Sequence, residues 1–212
     1  MGNNGYVRAD GSRQKHALAF QGQVRNSKGE PFSEVFIVDL PEDVTKPGDG
    51  PLCGTETRAA SPPKGAVQRR LTFTANRRYP GLQGPRHWLR SSPDGSQIAF
   101  LMKDDAGVVQ LWTVSPNRSS PRQVTTNRGP VASTFTWSPD GHLIAYVMDN
   151  SVCVTAVASR QTDRLTPRTD DASSPRSEAC VFSPDGKRIA FMRRVPSPQK
   201  PANQICVVGV SE

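Results

Sequence analysis

The sequence has no apolar run long enough to cross a membrane. Of its 212 residues, 35% are hydrophobic, and a membrane-spanning helix needs about 20 consecutive apolar residues. The first 20 residues also lack the apolar stretch of a secretory signal. We therefore expect no membrane span and, by default, a cytoplasmic location. A periplasmic location would follow if an N-terminal signal has been lost.

Cysteine is scarce and unpaired in the sequence. The four cysteines, Cys53, Cys153, Cys180 and Cys206, form no Cys-x-x-Cys motif. Three of them lie in apolar, strand-like runs, where a free thiol behaves as a small buried hydrophobic group. The pattern indicates reduced thiols rather than a disulfide framework.

Sequence motifs of several enzyme classes are missing. There is no Gly-x-Ser-x-Gly elbow, no Gly-rich phosphate loop, no dinucleotide fingerprint and no EF-hand-like loop. We therefore expect no cofactor and no catalytic residue. The net charge of +8 is compatible with an anionic partner. However, the arginines are scattered, which favours solvated surface for most of them, and no motif for specific nucleic-acid binding occurs.

The sequence does contain a repeated tetrad, Ser-Pro-Asp-Gly. Its prolines, aspartates and glycines are Pro93, Asp94 and Gly95, then Pro139, Asp140 and Gly141, then Pro184, Asp185 and Gly186. Proline fixes φ at the first central turn position, aspartate bonds the backbone two residues on, and glycine takes a left-handed conformation. Each tetrad therefore predicts a hairpin turn at the same place in a unit of about 45 residues.

Strand-like runs surround each tetrad and predict four antiparallel strands per unit. The predicted units are 16–74, with a long Pro/Gly-rich loop 41–67, then 86–126, 132–167 and 177–212. The first unit lacks a recognisable opening strand and tetrad, and the last lacks its fourth strand. Residues 1–15 are predicted to be disordered or the start of an incomplete blade. We treat all units as one domain.

A four-stranded sheet with two apolar faces cannot bury both faces alone. Radial stacking lets each sheet cover its neighbour, and a period near 45 with four strands is typical of a β-propeller. The sequence therefore predicts an all-β fold of about three and a half to four blades. The chain could close as a small ring, but the incomplete ends favour an incomplete arc of a larger propeller.

The tetrads and their flanks resemble the TolB-like, WD-related propeller repeat. The stretches "WSPDGHLIAYV" and "FSPDGKRIAFM", each followed by a closing strand that contains "RLT" or a similar triplet, carry this resemblance. The second unit departs from it, because Ser91 stands where Trp137 and Phe182 precede the other tetrads. We expect Trp88 to fill that hydrophobic position.

A longer pattern, from "HALAF" through "GEPFSEVFIVDLP" to "SPDGSQIAFLM", resembles the YidR-like bacterial family, which has no established activity. Members of that family are about twice as long as this chain. The resemblance implies that the chain corresponds to their C-terminal half. Association with a missing N-terminal half, or self-association, would then complete the ring.

One stretch mixes arginines with aromatic residues, as binding sites for carboxylates or sugars do. The candidate binding residues are Arg69, Arg70, Arg77, Arg78, Tyr79, Arg86, His87, Trp88 and Arg90. The same mixture also occurs in solvated loops without function.

The first-strand histidines His16 and His87 could ligate a divalent metal if a third ligand joined them. They could equally bond backbone groups at strand edges. A propeller channel with a histidine-bound metal occurs in oligogalacturonate lyases, to which the resemblance is one of fold only.

Two functions are therefore compared. The first is a non-catalytic propeller module that binds a protein or an anionic glycan. The alternative is part of a metal-dependent lyase or hydrolase that acts on acidic oligosaccharides. A remnant without function is a third reading.

Overall fold

The computed structural model describes residues 5–85, 88–118, 120–195 and 202–210. These residues form β-strands and one short 3₁₀ helix, Asp171–Ser173, with no α-helix in the described ranges. None of the described segments is a helix long and apolar enough to span a membrane. The fold is all-β, as the composition and the repeat predicted.

The strands fall into a short hairpin followed by four antiparallel sheets. The hairpin is β1 (Tyr6–Val7) with β2 (Arg13–Gln14). The first blade is β3 (His16–Arg25), β4 (Pro31–Leu40) and β5 (Val67–Arg70). The second is β6 (Arg90–Ser91), β7 (Ile98–Lys103), β8 (Val109–Val114) and β9 (Arg122–Gln123). The third is β10 (Thr136–Trp137), β11 (Leu143–Met148), β12 (Ser151–Ala156) and β13 (Thr162–Arg164). The fourth is β14 (Pro175–Phe182), β15 (Arg188–Val195) and β16 (Ala202–Gly209).

The three tetrads form the same turn with the same hydrogen bonds. In the second blade, Ser92 Oγ and the Ser96 N–H donate to Asp94 Oδ1 at 2.6 and 3.0 Å. The Gly95 N–H donates to the Ser92 carbonyl at 2.9 Å. The equivalent bonds join residues 138–142 and residues 183–187. The three glycines have φ values of 76°, 77° and 73°, which explains why glycine is needed there. The predicted repeat turn is confirmed.

A threonine closes the outer strand of three blades in the same way. The Leu111 N–H donates to Thr125 Oγ1 at 2.9 Å, and the Val124 N–H donates to the Leu111 carbonyl at 2.8 Å. Thr72 and Thr166 take the same position in the first and third blades. These threonines belong to the short polar runs that predicted the fourth strand of each unit. Their hydroxyl oxygens accept hydrogen bonds from backbone N–H groups that have no partner in the short outer strands.

Residues 5–15 contain the turn that sequence inspection did not find in the first unit. Gly11 has a φ of 83°, and its N–H donates to the Arg8 carbonyl at 3.0 Å. The Ser12 N–H donates to Asp10 Oδ1 at 2.9 Å, as in the tetrads. The sheet of the first blade nevertheless has three strands in the described structure, because β1 pairs with β2 and not with β3, so the first unit lacks a paired opening strand, as expected. Ala9 replaces the proline, and extra residues separate Gly11 from the apolar run that follows, so the pattern is hidden.

The core consists of three apolar clusters, each lying between two consecutive blades. The cluster between the second and third blades contains Leu101 and Leu111 on one side and Ile144 and Tyr146 on the other. Every member named here is at most 3% exposed. Stacking of blades therefore supplies the burial that a single sheet cannot achieve.

The expectation for Trp88 was wrong. Leu89, and not Trp88, packs against the cluster between the first and second blades. Trp88 is 48% exposed. Successive residues of an extended chain point to opposite sides, so only one of Trp88 and Leu89 can face the cluster. Leu89 is the residue that does. Trp88 is left at the surface, beside the opening strand β6.

Candidate functional site

Arg69 has a structural role. Its guanidinium donates to Asp39 Oδ2 at 3.0 Å, to the Tyr6 hydroxyl at 2.5 Å and to the Pro116 carbonyl at 2.7 Å. The Tyr6 hydroxyl in turn donates to both oxygens of Asp39 at 3.0 Å. Burial, and then the hydrogen bond to Asp39, raise the pKa of Tyr6. The group ties the N-terminal hairpin to the first two blades, which leaves Arg69 without a free donor face for a ligand.

Arg70 is also engaged within the protein. Its Nη2 lies 2.9 Å from Oε1 of the fully buried Glu34, and its Cζ lies 4.6 Å from the ring centroid of Phe73. The Thr74 N–H and hydroxyl donate to the same Glu34 oxygen at 2.7 and 2.8 Å. Sequence analysis did not single out Glu34. An acidic residue inside the apolar run "SEVFIVDL" is the feature that could have identified it.

Three of the predicted residues lie on one rim of the propeller, where the chain crosses from the first to the second blade. Arg77 stacks on Trp112 at 4.7 Å from the ring centroid and pairs with Asp105 at 3.2 Å. Arg78 and Lys103 approach the ring of Tyr79, at 5.4 and 5.3 Å from its centroid. We call Arg77, Arg78, Tyr79 and Lys103 the crossover rim. It is basic, but most of its cations contact aromatic rings of the protein itself.

Trp88 and Arg90 lie apart from the rim, beside the exposed edge of the first blade. Arg90 Cζ is 5.2 Å from the ring centroid of Trp88, and both side chains are exposed. They line a cavity of about 390 Å³ together with Leu89 and three residues of β3, Ala19, Phe20 and Gln21. We call this cavity the Trp88 cleft. It is a shallow depression that is open to solvent, and its volume falls at the lower end of the range of small-molecule sites, about 300–1,000 Å³.

The predicted site is therefore divided rather than continuous. Two of its members hold the structure together, three form the crossover rim, and two line the Trp88 cleft. Arg86 and His87 lie outside the described residues. Phe20, which sequence analysis did not assign to a site, contributes to the cleft because β3 has no neighbour on its outer edge over most of its length.

The metal alternative has limited structural support. His16 is exposed at the start of β3, and its proposed fellow ligand His87 is not described. Within residues 5–85, 88–118, 120–195 and 202–210, no three His, Cys, Asp or Glu side chains are grouped so that they could hold a metal ion. A group of three such ligands would therefore have to include at least one residue outside those ranges.

The buried thiols are not poised as nucleophiles. Burial raises the pKa of Cys153 to about 11 and that of Cys180 to about 12. A thiol with such a pKa is protonated near neutral pH, and the thiolate is the reactive form. All four cysteines are free, and Cys53 is exposed.

The blade geometry agrees with comparisons to known proteins. A family model described as the dipeptidyl peptidase IV N-terminal region matches residues 110–197. The chain is 50% identical over 181 residues to the uncharacterized protein YidR of Escherichia coli strain K12, an alignment that covers 84% of this chain and 43% of YidR.

Among solved structures, TolB from Acinetobacter baumannii aligns with 99% of this chain and 43% of its own, at 20% identity and a TM-score of 0.51. An oligogalacturonate lyase from Vibrio parahaemolyticus aligns with 98% of this chain and 65% of its own, at 13% identity and a TM-score of 0.49. The chain thus spans less than half the length of YidR and of that TolB. Together with the repeated blades, the likeness to TolB shows that the chain has a β-propeller fold, and its sequence is similar to that of YidR over most of this chain.

Proposed function

We propose that the chain is a non-catalytic propeller module that binds an acidic glycan in the Trp88 cleft. The observation that carries the proposal is the pairing of an exposed tryptophan with an exposed arginine beside a cavity of about 390 Å³. An indole face offers apolar contact to the face of a sugar ring, and a guanidinium binds a carboxylate through two parallel hydrogen bonds. A sugar that carries a carboxylate would use both groups at once.

The cleft is better suited to a ligand than the crossover rim. Arg77 on the rim is held by Asp105 and by the Lys103 carbonyl, at 3.2 and 3.1 Å. Arg90 has its side chain at the surface against the Trp88 ring, and its backbone carbonyl accepts a hydrogen bond from Trp137 Nε1 at 3.0 Å. Its guanidinium can therefore turn towards a ligand without breaking an ion pair in the described structure. The rim can add long-range attraction for an anion.

The non-catalytic part of the proposal is supported by the chemistry of the described groups. The buried thiols are protonated, and the aspartates of the three tetrads are hydrogen-bonded within their own turns. No described group of acidic, histidine or cysteine side chains is arranged for metal binding. The metal-dependent lyase or hydrolase stays an alternative hypothesis that no observation favours. A protein partner likewise stays a prediction.

Calorimetric titration with trigalacturonate, a trisaccharide with three carboxylates, tests the proposal, with neutral maltotriose as the ligand control. We expect trigalacturonate to bind and maltotriose not to bind. Trp88→Ala and Arg90→Gln should each weaken binding at least tenfold, since each removes one of the two contacts. The matched control is Arg118→Gln, which removes an exposed arginine outside the Trp88 cleft, in the turn between β8 and β9, and should leave the affinity unchanged.

Equal binding of the acidic and neutral sugars, or unchanged affinity in both cleft variants, would contradict the proposal. The same samples test the alternative function when Mn²⁺ is added and the sugar products are analysed by mass spectrometry. Cleavage that is abolished by chelation and by His16→Ala would show that the chain is enzymatic. Intact trigalacturonate is the outcome that the proposal expects.

A further inference from the structure

The three interfaces between consecutive blades obey one rule. The face of each blade that points to the next blade, here called the forward face, packs on the backward face of its successor. Ala99 and Leu101 belong to the forward face of the second blade, and they share a cluster with Ile144 on the third. Ala145 and Val147 stand at the equivalent forward positions of the third blade, and they cluster with residues of the fourth.

The backward face of the first blade has no blade against it in the chain. Leu18 is 58% exposed, whereas the residue at the same repeat position in the other blades is an isoleucine that is at most 2% exposed. Phe20 is 36% exposed, although its equivalents Phe100 and Tyr146 are fully buried. Phe20 also stacks on Phe36 of the neighbouring strand, with ring centroids 5.7 Å apart. This face is therefore an apolar surface of the kind that is buried elsewhere in the arc.

The forward face of the fourth blade is uncovered as well. By strand register, Ile205 corresponds to Val152 and Val207 to Val154. Ile205 and Val207 are 79% and 61% exposed, while their equivalents are 0% and 4% exposed. Val181 of the same blade is 52% exposed. Contiguous exposed apolar surface of this kind marks an interaction site.

One uncovered face is a backward face and the other is a forward face. Because a forward face packs on a backward face at each of the three interfaces inside the chain, the two uncovered faces are complementary. We infer that the fourth blade of one copy of the chain docks on the first blade of a second copy. Two such contacts, related by a two-fold axis, would close two arcs into one ring. The inference does not rest on the proposed glycan binding, but Phe20 belongs both to the backward face and to the Trp88 cleft, so docking would cover one wall of the cleft.

A second copy suits these faces for two reasons. The forward and backward positions of the uncovered faces carry apolar residues, as the equivalent positions of the three interfaces inside the chain do, so a copy offers a matching surface. In addition, an arc that spans 43% of YidR needs about one more arc of the same size to reach the length of that single chain. A ring has no uncovered terminal face, which removes the cost of exposed apolar surface.

Sedimentation velocity of the full chain over a range of concentrations tests the inference. The mass should rise from that of a 23.1 kDa monomer to twice that value. Ile205→Glu and Leu18→Glu should each weaken the dimer at least tenfold, because each places a charge in one of the two docking faces. Both residues are exposed in the single chain, so the variants should fold. Val7→Glu, which changes an exposed valine beside the tetrad turn of the second blade, is the matched control and should dimerise normally.

Mixing the two variants distinguishes docking of a forward face on a backward face from a symmetric contact between two like faces. The Leu18→Glu chain retains an intact fourth blade, and the Ile205→Glu chain retains an intact first blade. The mixture should therefore associate more tightly than either variant alone, through the one contact that keeps both apolar faces. A mixture no tighter than its components would overturn the forward-to-backward arrangement. A chain that stays monomeric at all concentrations, or forms open polymers, would overturn the two-copy ring and assign the faces to another polypeptide.

Discussion

Gly141 of the third blade lies directly against Pro93 of the second. A Cβ atom at position 141 would be 3.4 Å from Cδ of Pro93, and one at Gly186 would be 3.6 Å from Cδ of Pro139. The tetrad of each blade thus rests on the tetrad of the blade before it. The repeated tetrads are therefore in contact with one another in the structure, and a glycine–proline pair forms this contact twice.

Replacing Gly141 with alanine should destabilise the protein by about 1–2 kcal/mol, since φ is 77° there and L-residues pay a steric cost in that region. The new methyl group would also press on Pro93. Gly209→Ala is the control, because nothing lies within 4 Å of a Cβ at that position. Urea unfolding of the two variants measures the difference. Equal midpoints for both would show that the tetrad glycine is not constrained.

The repeat was predictable because each tetrad forms its turn from neighbouring residues alone. Serine, aspartate and glycine at fixed spacing specify the turn through bonds within five residues, so the three turns needed no tertiary information. The division of the arginine–aromatic stretch could not be predicted in the same way. Arg69 and Arg70 are adjacent in sequence, yet their side chains reach different carboxylates, Asp39 and Glu34, because successive residues of a strand point to opposite faces.

The Trp88 cleft was predicted only in part, for a related reason. Trp88 and Arg90 are close in sequence, and their pairing of an aromatic ring with a guanidinium was visible. Phe20 joins them from a strand about 70 residues earlier, and this depends on how the first two blades stack. The turn at Asp10 and Gly11 is a different case. Neighbouring residues form it, as they form the tetrad turns, but it was not predicted because it lacks the proline of the tetrad.

Thiol labelling in the native protein should separate the four cysteines. Cys53 is exposed and should react rapidly with a disulfide reagent at pH 8. Cys153 and Cys180 are fully buried, and burial raises their pKa values to about 11 and about 12. Both should react only after unfolding in urea. Mass spectrometry of labelled peptides identifies the sites. Rapid labelling of Cys153 in the native state would contradict the packing between the second and third blades, and rapid labelling of Cys180 would contradict the packing between the third and fourth.

Stability should fall in acid because the tetrad aspartates are hydrogen-bonded as carboxylates. Hydrogen bonds from the Ser138 hydroxyl and the His142 N–H lower the pKa of Asp140. At Asp94, partial burial raises the pKa, but several hydrogen bonds outweigh it and leave the pKa lowered. A carboxyl with a depressed pKa in the folded state stabilises the protein above its unfolded pKa of about 3.9. That stabilisation is lost as the pH falls through the lower folded value.

The urea midpoint should therefore be level between about pH 7 and pH 5 and should decline below about pH 4. Asp140→Asn removes one titrating group and should make the decline shallower, while lowering the midpoint at neutral pH. A variant with the same pH profile as the parent would contradict the role of the tetrad carboxylates.

Equivalent positions of one repeat are buried inside the arc and exposed at its flank. Val154 and Val207 are such a pair, 4% and 61% exposed. Alkylation rates of Val154→Cys and Val207→Cys, measured at a concentration where the chain is monomeric, probe this difference. We expect rapid alkylation at position 207 and protection at position 154 until the protein unfolds. Equal rates at the two positions would contradict this expectation.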